Sequence, residues 1–210
     1  MNSDSPSIAK PMRAHAATDS PTLVRVDPIT GVIDVCTNRY QKSLRDICSL
    51  FADQAACHAL SAEDLDGIAY EVWECRPVGG DLIYGTTVMQ PGRVSEEYFM
   101  TRGHIHRHRE MGEIYHTQAG RGVLLLCSSS GDSWHLEMTP GTIAHIPPGW
   151  AHRSVNVGDQ SLIFTWAVQT LAGNVYADFN ENMFSQRVYR TTDGGWTLVD
   201  GKRSRSTKVK

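Results

Sequence analysis

Two histidines one residue apart, in Gly103-His104-Ile105-His106, are followed after six residues by Glu113, and His152 comes just after Pro147-Pro148-Gly149. Imidazole nitrogens and a carboxylate oxygen are ligands for a divalent first-row metal. On a β-strand, residues two apart project to the same face, so His104 and His106 can aim together into a barrel mouth. A hairpin between Arg107 and Gly112 would fold Glu113 back beside them, and His152 is the candidate fourth ligand. Three neutral imidazoles and one carboxylate leave open positions on a six-coordinate Fe(II), Mn(II), Ni(II) or Zn(II), where oxygens of a substrate can bind. A His-x-His pair alone says little, because such pairs are common on surface strands. Glu113, placed between Gly112 and the β-prone Ile114-Tyr115, is what gives the pattern weight. His108 shares the parity of the pair but lies in the charged run Arg107-His108-Arg109-Glu110, which reads as a loop tip facing solvent or substrate. His116, His135 and His145 have no comparable partner and are read as structural.

The elements that must position these residues are mostly strands. From Ile68 onward nine short β-prone segments, from IAYEVWECR through EEYFMTRGHIH (Glu96–His106) to SLIFTWAVQ, are separated by Gly, Pro, Asp and Ser clusters. They leave no room for crossover helices, which excludes a βαβ sheet and predicts an antiparallel sandwich or a closed jelly-roll barrel. A last hairpin, FSQRVYR and WTLVD around Asp193-Gly194-Gly195, completes the globule. Before the barrel, Thr22–Val35 reads as a hairpin around Asp27-Pro28-Ile29-Thr30-Gly31. From Tyr40 to about Leu60, apolar residues at spacings of three and four (Leu44, Ile47, Leu50, Phe51, Ala55) predict a helical stripe, and Ser61 with Asp64 starts a second short turn. Residues 1–21, rich in Ser, Pro and Ala, read as a disordered arm, and 201–210 as a basic, solvated tail. Residues 22–200 then form one domain, with the hairpin and helix in 22–66 and the barrel with its closing hairpin in 67–200.

Bulk composition narrows the rest. The 210 residues carry a formal net charge of -3, which argues against a general nucleic-acid binder. Apolar content of 40% can supply a real core, and no stretch approaches the length of a membrane span. The N-terminus has no apolar region of the kind a secretory signal needs. The five cysteines are scattered, odd in number and without a C-x-x-C pair, so neither a disulfide framework nor a thiolate zinc site is expected, and a reducing cytoplasm is the simplest compartment.

The spacing Gly103-His104-x-His106-x6-Glu113-x6-Gly120 resembles the first cupin motif, with a slightly long spacer before the glutamate. Gly141-x5-Pro147-x-Gly149-x2-His152-x3-Asn156 has the spacing of the second in full. Within cupins the chain resembles the archaeal-type glucose-6-phosphate isomerases. The likeness runs through Tyr70-Glu71-Val72, Thr86-Thr87, Pro91-Gly92, Thr101–His106, Glu113-Ile114-Tyr115, Gly120-Arg121-Gly122, Met138–Thr142, Ile146-Pro147-Pro148 and Trp150–Asn156. It implies an all-β cupin jelly-roll with a short N-terminal helical region and flexible tails.

The same resemblance implies metal ligation by His104, His106, Glu113 and His152, with Fe(II) the first choice and Mn(II), Ni(II) or Zn(II) the alternatives. Glu113 and Tyr176 become the catalytic residues; Tyr70, Thr87, Thr101, Gly103, Tyr115 and Asn174 become the substrate contacts, with Thr87, Thr101 and Gly103 toward the phosphate. The implied reaction interconverts glucose 6-phosphate and fructose 6-phosphate by an enediol(ate) or a hydride shift. A sugar phosphate is the partner, with no nucleic acid or membrane, and a homodimer is expected from the way jelly-rolls cover exposed edges, a purpose the N-terminal hairpin could serve. Two departures stand out: Val168-Gln169 where the family has Tyr-Pro, and Gly173-Asn174-Val175-Tyr176 where it has Gly-His-Asp-Tyr. They motivate two alternatives, a non-catalytic metal-containing sugar-phosphate-binding cupin and an isomerase or epimerase of a different sugar; a cupin dioxygenase ranks below both.

Overall fold

The computed structural model describes residues 23–77, 79–175 and 184–200. The expected terminal arm 1–21, the basic tail 201–210 and Tyr176 lie outside them. The chain first forms β1 (Asn38–Ser43), then α1 (Leu44–Ile47), α2 (Gln54–His58) and α3 (Ala62–Asp66). The strands β2 (Ile68–Cys75), β3 (Leu82–Met89), β4 (Arg93–Val94), β5 (Glu97–Tyr98) and β6 (Ile105–His106) follow. Next come β7 (Glu113–Ala119), β8 (Gly122–Ser128), β9 (Ser133–Met138), β10 (Ile143–Ile146) and β11 (Trp150–Asn156). The last are β12 (Leu162–Gln169), β13 (Asn174–Val175), β14 (Gln186–Arg190) and β15 (Trp196–Asp200).

These strands make the expected all-β jelly-roll. One sheet has the order β1-β2-β3-β12-β7-β10, a second β11-β8-β9, and two smaller ones are β13-β6 and β15-β14-β5-β4. A single core cluster draws on both larger sheets, through Val72, Tyr115 and Phe164 on one and Val123, Leu124 and Val155 on the other. Alternation sets which side chains face it: across β2, β3 and β12 the residues Val72, Thr87 and Phe164 stand in register on the inner side. Thr86, one residue away, points outward and donates its hydroxyl to the Gly31 carbonyl at 2.5 Å.

That bond fastens the N-terminal hairpin to the barrel. Val26 bridges Ile33, and the Asp27 carboxylate accepts from the Ile29 and Thr30 amides at 2.9 and 2.8 Å to shape the turn. Gly31 has φ +71°, and a Cβ there would lie 2.5 Å from Val88, so only glycine lets the hairpin lie this close to the sheet. The hairpin therefore covers the outer face of its own barrel.

Three expectations change. The helical stripe begins at Leu44, not Tyr40: residues 38–43 are a strand paired with β2, and Ser43 forms a capping box with Asp46 that starts the helix only there. Leu44, Ile47 and Phe51 are buried as the spacing requires, but the Asp53 side chain caps a new start and splits the stripe into short pieces. Likewise Glu96–His106 is not one strand. Gly103, at φ +75°, turns the chain between the β5 hairpin and the pairing of His104 with His152. The cysteine reading is also corrected: Cys48 and Cys57 are joined by a disulfide, the short helical pieces bringing their Cα atoms to 6.0 Å, while Cys36, Cys75 and Cys127 are buried.

The closing hairpin is locked by a buried ion pair. Arg187 Nη1 donates to Glu97 Oε1 at 2.6 Å and to the Leu50 carbonyl at 2.8 Å, while Glu97 Oε2 accepts from the Ala52 amide at 2.7 Å. The Glu97 side chain is 2% exposed and that of Arg187 22%. Removing the cation would strand a buried carboxylate, a change that costs about 3 kcal/mol. Arg187→Ala is expected to lose about that much in urea unfolding, and adding Glu97→Gln to it should recover a substantial part; equal stability of wild type and Arg187→Ala would refute the assignment.

Candidate metal centre

The candidate ligand set is built by backbone pairing before any side chain is considered. His104 and His152 face each other in an antiparallel bridge, each amide donating to the other's carbonyl at 3.1 and 3.0 Å. Gly103 permits this approach, since a Cβ there would sit 3.0 Å from the His152 carbonyl oxygen. His106 lies on β6 opposite Asn174 of β13, and the loop between is pinned by the Arg107 and His108 amides on the Gly173 and Ala172 carbonyls. Glu113 opens β7 in register with Ile146 of β10 and Val168 of β12.

The three Nε2 atoms converge on one carboxylate oxygen. Glu113 Oε2 lies 3.0 Å from His152, 3.2 Å from His106 and 3.8 Å from His104. The four potential ligand atoms are all within 4.8 Å of one another. Donors held ~2.1 Å from a common ion at right angles stand ~3.0 Å apart, so the set is close to the size a first-row dication needs. The other ring nitrogens are already engaged: His106 Nδ1 is 2.9 Å from the Met111 carbonyl oxygen, and His152 Nδ1 is 3.4 Å from that of Trp150. This is the usual way a ligating imidazole is oriented. His152 Nε2 is buried and, although 3.0 Å from Oε2, is out of line for a hydrogen bond to it. Two lone pairs aimed at a common point have this arrangement.

The electrostatics call for a positive charge at that point. Burial, then the neighbouring His152, hold His104 well below the usual imidazole range, so it is neutral with a lone pair to offer. Burial would push Glu113 up, but His106 and His152 outweigh it and hold the carboxyl down at about 2. Burial pulls His106 down and is overcome by Glu113 and the Met111 carbonyl, which raise it. Without a metal, the cluster therefore holds a proton on His106 to higher pH than a free imidazole would; a dication would take its place. The residues present fit a divalent metal.

A cavity of ≈ 180 Å³ opens beside the cluster. Its wall includes all six expected substrate contacts, Tyr70, Thr87, Thr101, Gly103, Tyr115 and Asn174, together with His104 and Glu113. Tyr115 stacks on Phe164 at 4.7 Å and meets His152 edge-on at 5.7 Å. Thr101 Oγ accepts from the Ser154 amide at 3.1 Å. His108 is on the loop beside Glu110, and His116, His135 and His145 are exposed, away from the cluster. The wall also holds residues the sequence reading passed over, among them Tyr40, Glu74, Arg76, Arg102 and Trp166. Period-two alternation from Tyr70 would have found Glu74 and Arg76; Tyr40 was hidden by its assignment to a helix.

The family described as glucose-6-phosphate isomerase (GPI) matches residues 41–206. A glucose-6-phosphate isomerase of Sinorhizobium medicae is 42% identical over 86% of this chain and 86% of its own. Those of Thermococcus onnurineus and Pyrococcus furiosus are 38% and 37% identical, each over 86% of this chain and 94% and 95% of theirs. A solved oxalate decarboxylase of Bacillus subtilis overlays 52% of this chain and 27% of that one at 18% identity and a TM-score of 0.41, too loosely to carry an argument.

Metal and proton compete for the same lone pairs, so affinity rises as the imidazoles lose their protons. Glu113, held at about 2, is anionic throughout the usual range and does not set the limit. Because His106 is raised, its proton helps the metal-free fold at low pH and that help is lost as pH climbs through its value. The melting-point gain from added Mn(II) or Zn(II) is therefore expected to grow between pH 6 and 8 and to vanish in His104→Ala, both read by scanning calorimetry. A gain independent of pH, or intact in His104→Ala, would contradict the four-ligand assignment.

Proposed function

This chain belongs to the glucose-6-phosphate isomerase family, and we propose that it interconverts glucose 6-phosphate and fructose 6-phosphate with a divalent metal held by His104, His106, Glu113 and His152. The observation that carries the metal dependence is the convergence of three imidazole nitrogens on Glu113 Oε2 in the wall of the cavity. Fe(II) is the first choice, with Mn(II), Ni(II) or Zn(II) compatible with the same donors. Once bound, the metal supplies Lewis-acid stabilisation of the negative charge that develops on the two adjacent sugar oxygens.

The residues do the rest. The imidazoles all approach Glu113 Oε2, which leaves Oε1 to take a proton from one sugar carbon and return it to the other. Tyr115, fixed between Phe164 and His152, orients the reacting end. The hydroxyls of Thr87 and Thr101 and the Gly103 amide are donors toward the phosphate, Tyr70 lines the pocket, and Asn174 hydrogen-bonds a sugar hydroxyl. Tyr176 is kept as a catalytic candidate. A carboxyl held at about 2 is a weak base, which supports a hydride shift between the carbons as the second route. The two differ in whether the migrating hydrogen exchanges with solvent.

Asn174 and Val168 favour weighing two further outcomes, sugar-phosphate binding without turnover and action on another sugar. Asn174 cannot titrate, and apolar Val168 lines the cavity. A cytoplasmic location follows from a phosphorylated substrate. A homodimer fits the exposed edges β1 and β10, the outer strands of the large sheet.

Metal-replete protein is expected to interconvert the two hexose phosphates in a coupled assay, with chelation or Glu113→Gln lowering the rate ~100-fold or more. Asn174→His should raise kcat. No conversion by the metal-replete protein, with sugar phosphate still bound, would move the chain to the binding reading. Deuterium from solvent appearing at the transferred position supports Glu113 as the base, and its absence the hydride shift.

A further inference from the structure

Two arginines line the cavity outside the expected contact set, Arg76 and Arg102, and they are held differently. Arg76 continues the inward-facing row Tyr70, Val72, Glu74 beyond the end of β2. Its amide donates to Thr37 Oγ1 at 2.8 Å, and its Nε donates to Glu74 Oε1 at 3.3 Å. Its two terminal nitrogens have no protein partner among the described residues. The Arg76 side chain is 48% exposed and that of Glu74 16%. A guanidinium anchored along one edge thus presents its remaining fork at the cavity wall, the geometry that grips a phosphate through two parallel hydrogen bonds.

Charge demands such a group. The wall carries two carboxylates, Glu74 and Glu113, whereas Thr87, Thr101, Tyr70 and Gly103 offer only dipoles to an anion. A hexose phosphate brings close to two further negative charges. Arg76 also stands at the right place along the wall. Glu113 is in register with Val168, Val168 with Ile83, and the position next to Ile83 on β2 is that of Arg76, since Cys75 pairs with Tyr84. The row spans three strand spacings, ~14 Å between its end Cα atoms, with both end side chains reaching inward. A chain molecule whose reacting carbons are C1 and C2, and whose phosphate is on C6, fits along such a row.

We propose that Arg76, steered by Glu74, is the cationic contact for the phosphate end of the substrate and sets the preference for phosphorylated over neutral sugars. This rests on the sugar-phosphate reading above and adds to it a residue and a charge. Arg102 is the competing cation: its carbonyl accepts from Arg153 Nη2 at 3.0 Å and its amide lies 3.5 Å from the Tyr70 hydroxyl.

The test compares metal-replete wild type with Arg76→Ala, Arg76→Lys and Arg102→Ala, using inorganic phosphate and unphosphorylated fructose as calorimetric probes and fructose 6-phosphate in the assay. In Arg76→Ala, the Kd for phosphate and the KM for fructose 6-phosphate are expected to rise about tenfold or more. The Kd for fructose and kcat should stay within about threefold, because the lost contact is equally present in ground and transition states. Arg76→Lys should recover part of the loss, and matched melting points exclude a folding defect. Unchanged phosphate binding in Arg76→Ala, an equal loss for fructose, or a loss confined to Arg102→Ala would each overturn the proposal. Phosphate binding needs no turnover, so Arg76-dependent binding without interconversion would retire the isomerase reading and leave this inference standing.

Discussion

Three imidazoles and an anionic oxygen are forced to within 4.8 Å of one another in a largely buried corner of the cavity. Left alone, that arrangement is repulsive, and the neighbouring groups show how it is relieved: a carboxyl driven down to about 2, one imidazole driven up and another driven down. What holds the donors against their repulsion is backbone. His104 and His152 are hydrogen-bonded to each other through the main chain, and Glu113 is clamped between β10 and β12. The barrel works as a frame that keeps charged groups where they would not choose to stay, and the cavity beside them is the space that frame encloses.

The rest of the wall follows from strand alternation. On β2, β3 and β12 the inner row collects Tyr70, Val72, Thr87, Phe164 and Trp166, while the outer row meets the N-terminal hairpin through Thr86 and Gly31. Thr86 and Thr87 show how sharply the faces divide: adjacent hydroxyls, one a fastening and the other in the cavity. Far from the site, the pairing of Arg187 with Glu97 ties the closing hairpin to the helical segment at Leu50 and Ala52.

Much of this could be read from the residues beforehand, for identifiable reasons. The His–Glu cluster was legible because a strand period of two keeps His104 and His106 together, although the expected hairpin back to Glu113 does not form: β6 pairs with β13, and β10 and β12 place Glu113 instead. The large strands were legible because their turns are marked by Gly, Pro and Asp. What escaped had weak local signals. Tyr40 lies in a run whose apolar spacing suits a helix, and only pairing with β2 makes it a strand. Cys48 and Cys57 are nine apart with no motif, and they meet because two short helical pieces fold back on each other. Glu74 and Arg76 share the parity of Tyr70, yet a charged pair near a strand end reads as solvated surface unless the curvature of the barrel is known. In each case a long-range contact, absent from any window of sequence, decided the outcome.

The main-chain bridge between His104 and His152 has a consequence for which ion the proposed site would take. Because peptide hydrogen bonds hold His104 and His152 together, two of the donors are positioned ahead of any ion, and a set of three imidazoles and a carboxylate accepts several first-row dications whose intrinsic affinities differ in the Irving–Williams order. Under the proposed metal reading, occupancy would be set by those affinities weighted by the abundance of each ion, so the same polypeptide grown on different trace elements would be a mixture of species with different Lewis acidities.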